Sequence, residues 1–283
     1  MTATAEAQVG TRPLPPIAAK VDRALVDLDA KVDWLTALSP IHNDALWDAF
    51  EASGRRHVPP LEYHPLGTDL HDAREALLAL PVEDIESPLL SGLLSEKQRE
   101  LERQIELVRL RGTDGFINAS LDLFGGVEPP LLKLANEILH GVEASAPLLA
   151  EAGIDEVMEA VEDELAWYRG QWPGFSAEVV VDTDLNSLMM VSHGTFYIDG
   201  DIRIPRARVQ PLIQHEIGTH VVTRHNGRRQ SLKQLEVGLA HYDPLQEGLG
   251  VLAEFLAGYL PAERLAHCRS LPVTRLFHKE PAQ

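Results

Sequence analysis

The chain has 283 residues, 45% of them hydrophobic, enough for one large or two modest cores. Its 43 acidic and 25 basic residues give a formal charge of −18, which argues against nucleic acid and against an anionic membrane as partners. No apolar run reaches the roughly 18 residues of a membrane span, residues 1–20 lack a basic start followed by an apolar core, and a single cysteine forms no internal disulfide, so a cytoplasmic protein is expected.

Residues 1–16 read as a disordered tail. Residues 17–172 carry a helical pattern, with helices expected over 21–38, 44–51, 95–111, 130–140 and 155–169. In the third of these, Ser95 and Gln98 stand in capping-box positions, Leu101, Ile105 and Val108 form the apolar stripe, and Gly112 stops the helix. Its charged residues read as a solvated face. The texture changes at Pro173-Gly174, and residues 173–283 are expected to form the catalytic region. Short β-rich runs at 178–181, 188–191, 195–198 and 202–204 are separated by turn residues, with Ser192-His193-Gly194 and Asp199-Gly200 as hairpin turns. The expected fold class is α+β and zincin-like: mostly helical, with a small antiparallel sheet preceding a metal-binding helix. By that analogy the strand at 195–198 is an exposed edge that binds substrate backbone.

That helix opens at Arg208-Val209-Gln210-Pro211-Leu212-Ile213-Gln214. Leu212, Ile213, Ile217, Val221 and Val222 supply its buried stripe, and Asn226-Gly227 is a stop and turn signal. Within it lies Gln214-His215-Glu216-Ile217-Gly218-Thr219-His220. Two imidazoles and a further carboxylate leave zinc one open position, and a spare glutamate beside them can take a proton from water. The zincin signature H-E-x-x-H places its histidines about 40° apart around a helix; the H-E-x-x-x-H spacing here places them about 140° apart. The site therefore requires a π-bulge or a helix end between His215 and His220, near the permissive Gly218.

A third ligand candidate follows in Asp243-Pro244-Leu245-Gln246-Glu247. Asp243 is expected as N-cap, Pro244 as first helical residue and Gln246 as capping-box partner of a helix running to about Tyr259. Glu247 falls near its first turn, Gly248 and Gly250 allow close helix approach, and Glu254, seven residues on, shares the face of Glu247. Between residues 202 and 235, seven basic residues (Arg203, Arg206, Arg208, Arg224, Arg228, Arg229, Lys233) face one acid, Glu216. A local positive field suits an anionic substrate, and Arg203, Arg206 and Arg224 are nominated to hold a terminal carboxylate.

The run H-E-I-G-T-H-V-V-T, then N-G-R-R-Q-S-L, then Y-D-P-L-Q-E-G-L-G-V-L-A-E-F resembles the QEGLA-motif family, also labelled flavohaemoglobin expression-modulating proteins, whose eukaryotic relatives are the microtubule-associated tyrosine carboxypeptidases. An upstream block, Arg111-Gly112-Thr113 with Phe116, Ser120 and Phe124-Gly125, is similar to a second, weaker signature of that family. The resemblance implies Zn2+ held by His215, His220 and Glu247, with Glu216 as general base and acid, in a metallopeptidase that removes a residue from a peptide or protein C-terminus. Two departures stand out. Gly250 replaces the usual alanine, at an expected cost limited to helix propensity. Relatives also continue in helix where residues 265–272 lose helical periodicity, so the expectation is a shortened C-terminus. Cys268, in that segment, has no partner for nucleophilic chemistry and reads as a packing or surface thiol. His193, Arg224, His225, His241 and Tyr242 are all oxyanion donors by type, and the sequence does not choose among them. A mixed His-carboxylate set also suits manganese or iron. The alternative function is a catalytically inactive metal-binding or regulatory protein.

Overall fold

The computed structural model describes residues 13–141, 150–183, 185 and 187–259. Most of the expected N-terminal tail and the segment holding Cys268 lie outside them. In chain order the helices are α1 (Pro16–Asp29), α2 (Trp34–Leu38), α3 (Asn43–Ala52), α4 (Leu70–Leu78), α5 (Pro88–Arg109), α6 (Phe116–Phe124), α7 (Pro129–Gly141) and α8 (Ile154–Gln171). Two short strands, β1 (Glu151–Ala152) and β5 (Ile204–Pro205), flank the set β2 (Glu178–Asp182), β3 (Met189–Ser192) and β4 (Thr195–Asp199). The chain is thus mostly helical with small sheets, an α+β arrangement.

Local chemistry corrects several expected boundaries. The single helix at 21–38 is two, because Asp33 stops the run and caps α2 by accepting from the Thr36 N–H at 3.2 Å. The helix expected at Ser95 begins at Ser87-Pro88: Ser87 accepts from the Leu90 N–H at 3.5 Å, and proline occupies the first turn, where no N–H is required. Gln98 does not cap; its amide donates to the Leu77 carbonyl at 2.8 Å and ties α5 to α4. The stripe Leu101, Ile105 and Val108 is buried as expected, and Gly112 ends the segment with φ +71°. The Arg111 guanidinium binds the carbonyls of Ala37 and His64 and lies 5.0 Å from the Tyr63 ring centroid, so this signature residue fastens the chain around α2.

Two main cores result. One joins α1, α4 and α5 through Val21, Leu25, Leu77, Leu94 and Leu101, with Leu232 from the far end of the chain. The other joins Val157, Val161 and Leu165 of α8 to Phe196, Ile198, Ile213 and Ile217. Between the two regions the buried Asp22 carboxylate accepts the backbone N–H groups of Lys233 at 2.7 Å and Gln234 at 2.9 Å.

The three-stranded sheet runs β2-β4-β3, with β3 antiparallel and β2 parallel to β4, so it is mixed rather than wholly antiparallel. His193 and Gly194, at φ 48° and 88°, make the expected tight β3–β4 turn. Asp199-Gly200 does not form a hairpin: the chain turns away toward β5, which pairs with β1. The expectation of an exposed edge at 195–198 is overturned, since β4 is the central strand with both sides paired.

Candidate metal centre

The segment carrying the two histidines is not a straight helix. It comprises α9 (Val209–His215), a π-helical turn at Glu216–Val221 and α10 (Val222–Arg228). The wider turn, required by the five-residue spacing, returns His220 to the side of His215, and their ring centroids lie 5.0 Å apart. The Thr219 hydroxyl donates to the Gln214 carbonyl at 3.1 Å across the widened turn. The expected stop at Asn226-Gly227 is met within a residue, since α10 ends at Arg228 and the Arg229 and Gln230 N–H groups close back on the Asn226 and Gly227 carbonyls, and Gly227 also serves close approach. A Cβ there would lie 1.7 Å from the carbonyl oxygen of Leu235, at the start of α11 (Gln234–Val237).

Glu247 comes from α12 (Asp243–Leu256), which packs on α9 and on the π-turn. Its Oε2 lies 3.6 Å from His215 Nε2 and its Oε1 3.6 Å from His220 Nε2. One ligand atom from each of the three residues falls within 4.8 Å of the others. Ligand atoms of a tetrahedral zinc, with bonds of about 2.0–2.1 Å, lie roughly 3.3 Å apart, so the set fits a shared cation with one position left open. Burial holds the His220 imidazole below its ordinary pKa, opposed by the Glu247 carboxylate and reinforced by His215, which favours the neutral ring that a metal requires. Glu216 is buried at the first position of the π-turn, directly after His215.

The α12 helix starts differently from expectation. Tyr242 is the N-cap, Asp243 the first helical residue, and no side chain caps the end. Gln246 is consequently free of a capping role: its Nε2 lies 3.3 Å from His220 Nδ1 and donates to Thr223 Oγ1 at 3.2 Å. Close approach rests on Gly250 alone, since a Cβ at Gly248 would meet nothing within 4 Å, whereas one at Gly250 would stand 2.6 Å from His215 Cε1 and Nε2. The replacement of the usual alanine by Gly250 is therefore a matter of space beside the His215 ring and not of helix propensity alone. Glu254, given no role by sequence reasoning, is 1% exposed and places Oε1 2.7 Å from His215 Nδ1. Its seven-residue spacing from Glu247 was the available signal.

The basic residues divide. Arg206 pairs with Glu156 at 2.8 Å, and Arg203 lies against Gly153 and donates to the Ile202 carbonyl at 2.8 Å, both at the start of α8. Lys233 donates to the Arg228 and Gln230 carbonyls. Arg224 stands one turn beyond His220 and lies over the β3–β4 turn at Gly194. It shares Glu236 with Arg228, at 3.3 and 3.1 Å, and its Nε is buried with no hydrogen-bond partner among the described residues. Of the oxyanion candidates, His225 is buried beside Phe175 and Trp172 with ring centroids 4.9 and 6.4 Å away, and the His241 backbone N–H donates to Glu100 at 2.7 Å. Tyr242 packs its ring against Gly238, and burial pushes its hydroxyl up to about 12, so it keeps its proton.

A family model described as microtubule-associated tyrosine carboxypeptidase matches residues 48–270, a span that includes every residue of this centre. No curated protein and no solved structure gives a significant match.

Proposed function

Since the chain belongs to the microtubule-associated tyrosine carboxypeptidase family, we propose that it is a zinc-dependent carboxypeptidase acting on the C-termini of proteins or peptides. The observation that carries this reading is the convergence of His215, His220 and Glu247, from two separate helical segments, with the buried Glu216 adjacent to the first. His215, His220 and Glu247 would hold the ion. Bound there, zinc supplies a Lewis acid and brings the acidity of water toward neutrality. Glu216 takes the proton of the attacking water and delivers it to the departing amine.

Arg224 binds the substrate's terminal carboxylate. It is the nominated arginine closest in the chain to the ligands, and part of its side chain, 21% exposed, reaches the surface. Arg203 and Arg206, engaged at the α8 start, are left a contribution to the local positive field. Extended substrate runs along β3, an edge strand packed beside the π-turn, and not along the central β4.

The test is Glu216→Gln with metal analysis and mass-spectrometric cleavage mapping of a mixed peptide library. The variant should keep wild-type zinc content and lose at least about a hundredfold in turnover. Equal cleavage by both proteins would remove Glu216 from the mechanism. Zinc in the wild type with no cleavage would favour a non-catalytic metal-binding protein.

A further inference from the structure

We propose that α12 sets the proton positions of both histidines, through Glu254 for His215 and through the carbonyl oxygen of Gln246 for His220. This rests on the reading of His215, His220 and Glu247 as a metal centre and identifies the residues that position its imidazoles. Both rings turn Nε2 toward Glu247, at 3.6 Å each. A neutral imidazole that offers one nitrogen to a metal carries its proton on the other, and that N–H needs an acceptor. For His215 the acceptor is the Glu254 carboxylate, 2.7 Å from Nδ1 and 1% exposed.

For His220 the group facing Nδ1 is the Gln246 amide, itself 6% exposed. The amide is placed with its Nε2 3.3 Å from Nδ1 and 3.2 Å from the Thr223 hydroxyl, to which it donates. In that orientation the NH2 group donates to Nδ1, drives the imidazole proton onto Nε2 and blocks the nitrogen that faces Glu247. With the amide turned over, one carbonyl oxygen accepts from both His220 Nδ1–H and Thr223 O–H, using its two lone pairs. Amide oxygen and nitrogen have nearly the same shape, so the hydrogen-bond network determines which way the group points. Residues 246, 247 and 254 of one helix thereby supply a ligand and both orienting acceptors, and the carboxylate at 2.7 Å holds His215 more firmly than the neutral amide at 3.3 Å holds His220.

The experiment uses the full chain, with zinc affinity measured by chelator competition at near-neutral pH and thermal unfolding of the metal-free protein as a control for folding. Gln246→Glu, whose ionised carboxylate can only accept, should bind zinc within about threefold of wild type, while Gln246→Met and Glu254→Met should lose about 10–100-fold with little change in metal-free unfolding. Equal losses in Gln246→Glu and Gln246→Met, or none in Gln246→Met, would overturn the role of Gln246; wild-type affinity in Glu254→Met would overturn that of Glu254. Nitrogen NMR of zinc-loaded wild type needs no variant: His220 Nδ1 should appear protonated, and an unprotonated Nδ1 would refute the amide orientation. A wild type that binds no zinc stoichiometrically would instead remove the metal centre, and this inference with it.

Discussion

His225 and His220 are separated by five residues and differ in what surrounds them. His220 faces Glu247 and the amide of Gln246, whereas His225 is sealed among Phe175 and Trp172 with its Nε2 lacking a hydrogen-bond partner among the described residues. Burial, helped by Arg229 and Arg228, pulls the His225 imidazole below its ordinary value of 6.5. The folded state therefore disfavours the proton that the unfolded chain accepts. Its contribution to stability is complete above pH 6.5 and is lost as pH falls through that value toward the depressed one. His225→Phe, which preserves the aromatic packing, should show a smaller loss of urea midpoint between neutral and mildly acidic pH than wild type, both measured without metal. Parallel pH profiles would show that His225 does not carry this dependence.

At the scale of elements, the π-turn was legible as one of two geometric solutions: histidines five apart share an ion only if the helix widens or ends, and the structure has it widen. Helix starts were harder to read, since Ser-x-x-Gln at Ser95 matches a cap as well as Ser87-Pro88 does, and only packing shows that Gln98 is occupied with Leu77. Gly227 illustrates the same limit. A glycine after asparagine signals the helix end found at Arg228, but not that the same glycine lets α10 touch α11, which carries the Glu236 that holds Arg224. Gly227→Ala should destabilise by at least about 1–3 kcal/mol through overpacking against the backbone of Leu235. Gly248→Ala, facing open space on α12, should instead stabilise by roughly 0.5–1 kcal/mol from helix propensity. Chemical denaturation of the two variants checks both signs, and equal effects would contradict the contact.

At the scale of the whole molecule, Asp22 in α1 joins the N-terminal helices to the segment before α12. Its carboxylate accepts the Lys233 and Gln234 N–H groups, 211 and 212 residues away in sequence. Asp22→Ala leaves two backbone donors unpaired and should cost at least about 2 kcal/mol in chemical denaturation. A loss below about 0.5 kcal/mol, the scale of ordinary surface substitutions, would show that water replaces the carboxylate. The described residues contain no helix long and apolar enough to cross a membrane, in keeping with the composition.

The sequence alone determined the residue types His215, Glu216, His220 and Glu247, their spacing, and hence the need for a widened turn or a helix end between the histidines, because these follow from helix periodicity and ligand chemistry within short stretches of chain. Tertiary structure decided that β4 is central and β3 the edge, that Arg203 and Arg206 are engaged at α8, and that Glu254 and Gln246 face the imidazoles. Each of these depends on which elements lie side by side, and periodicity within one segment carries no information about its neighbour.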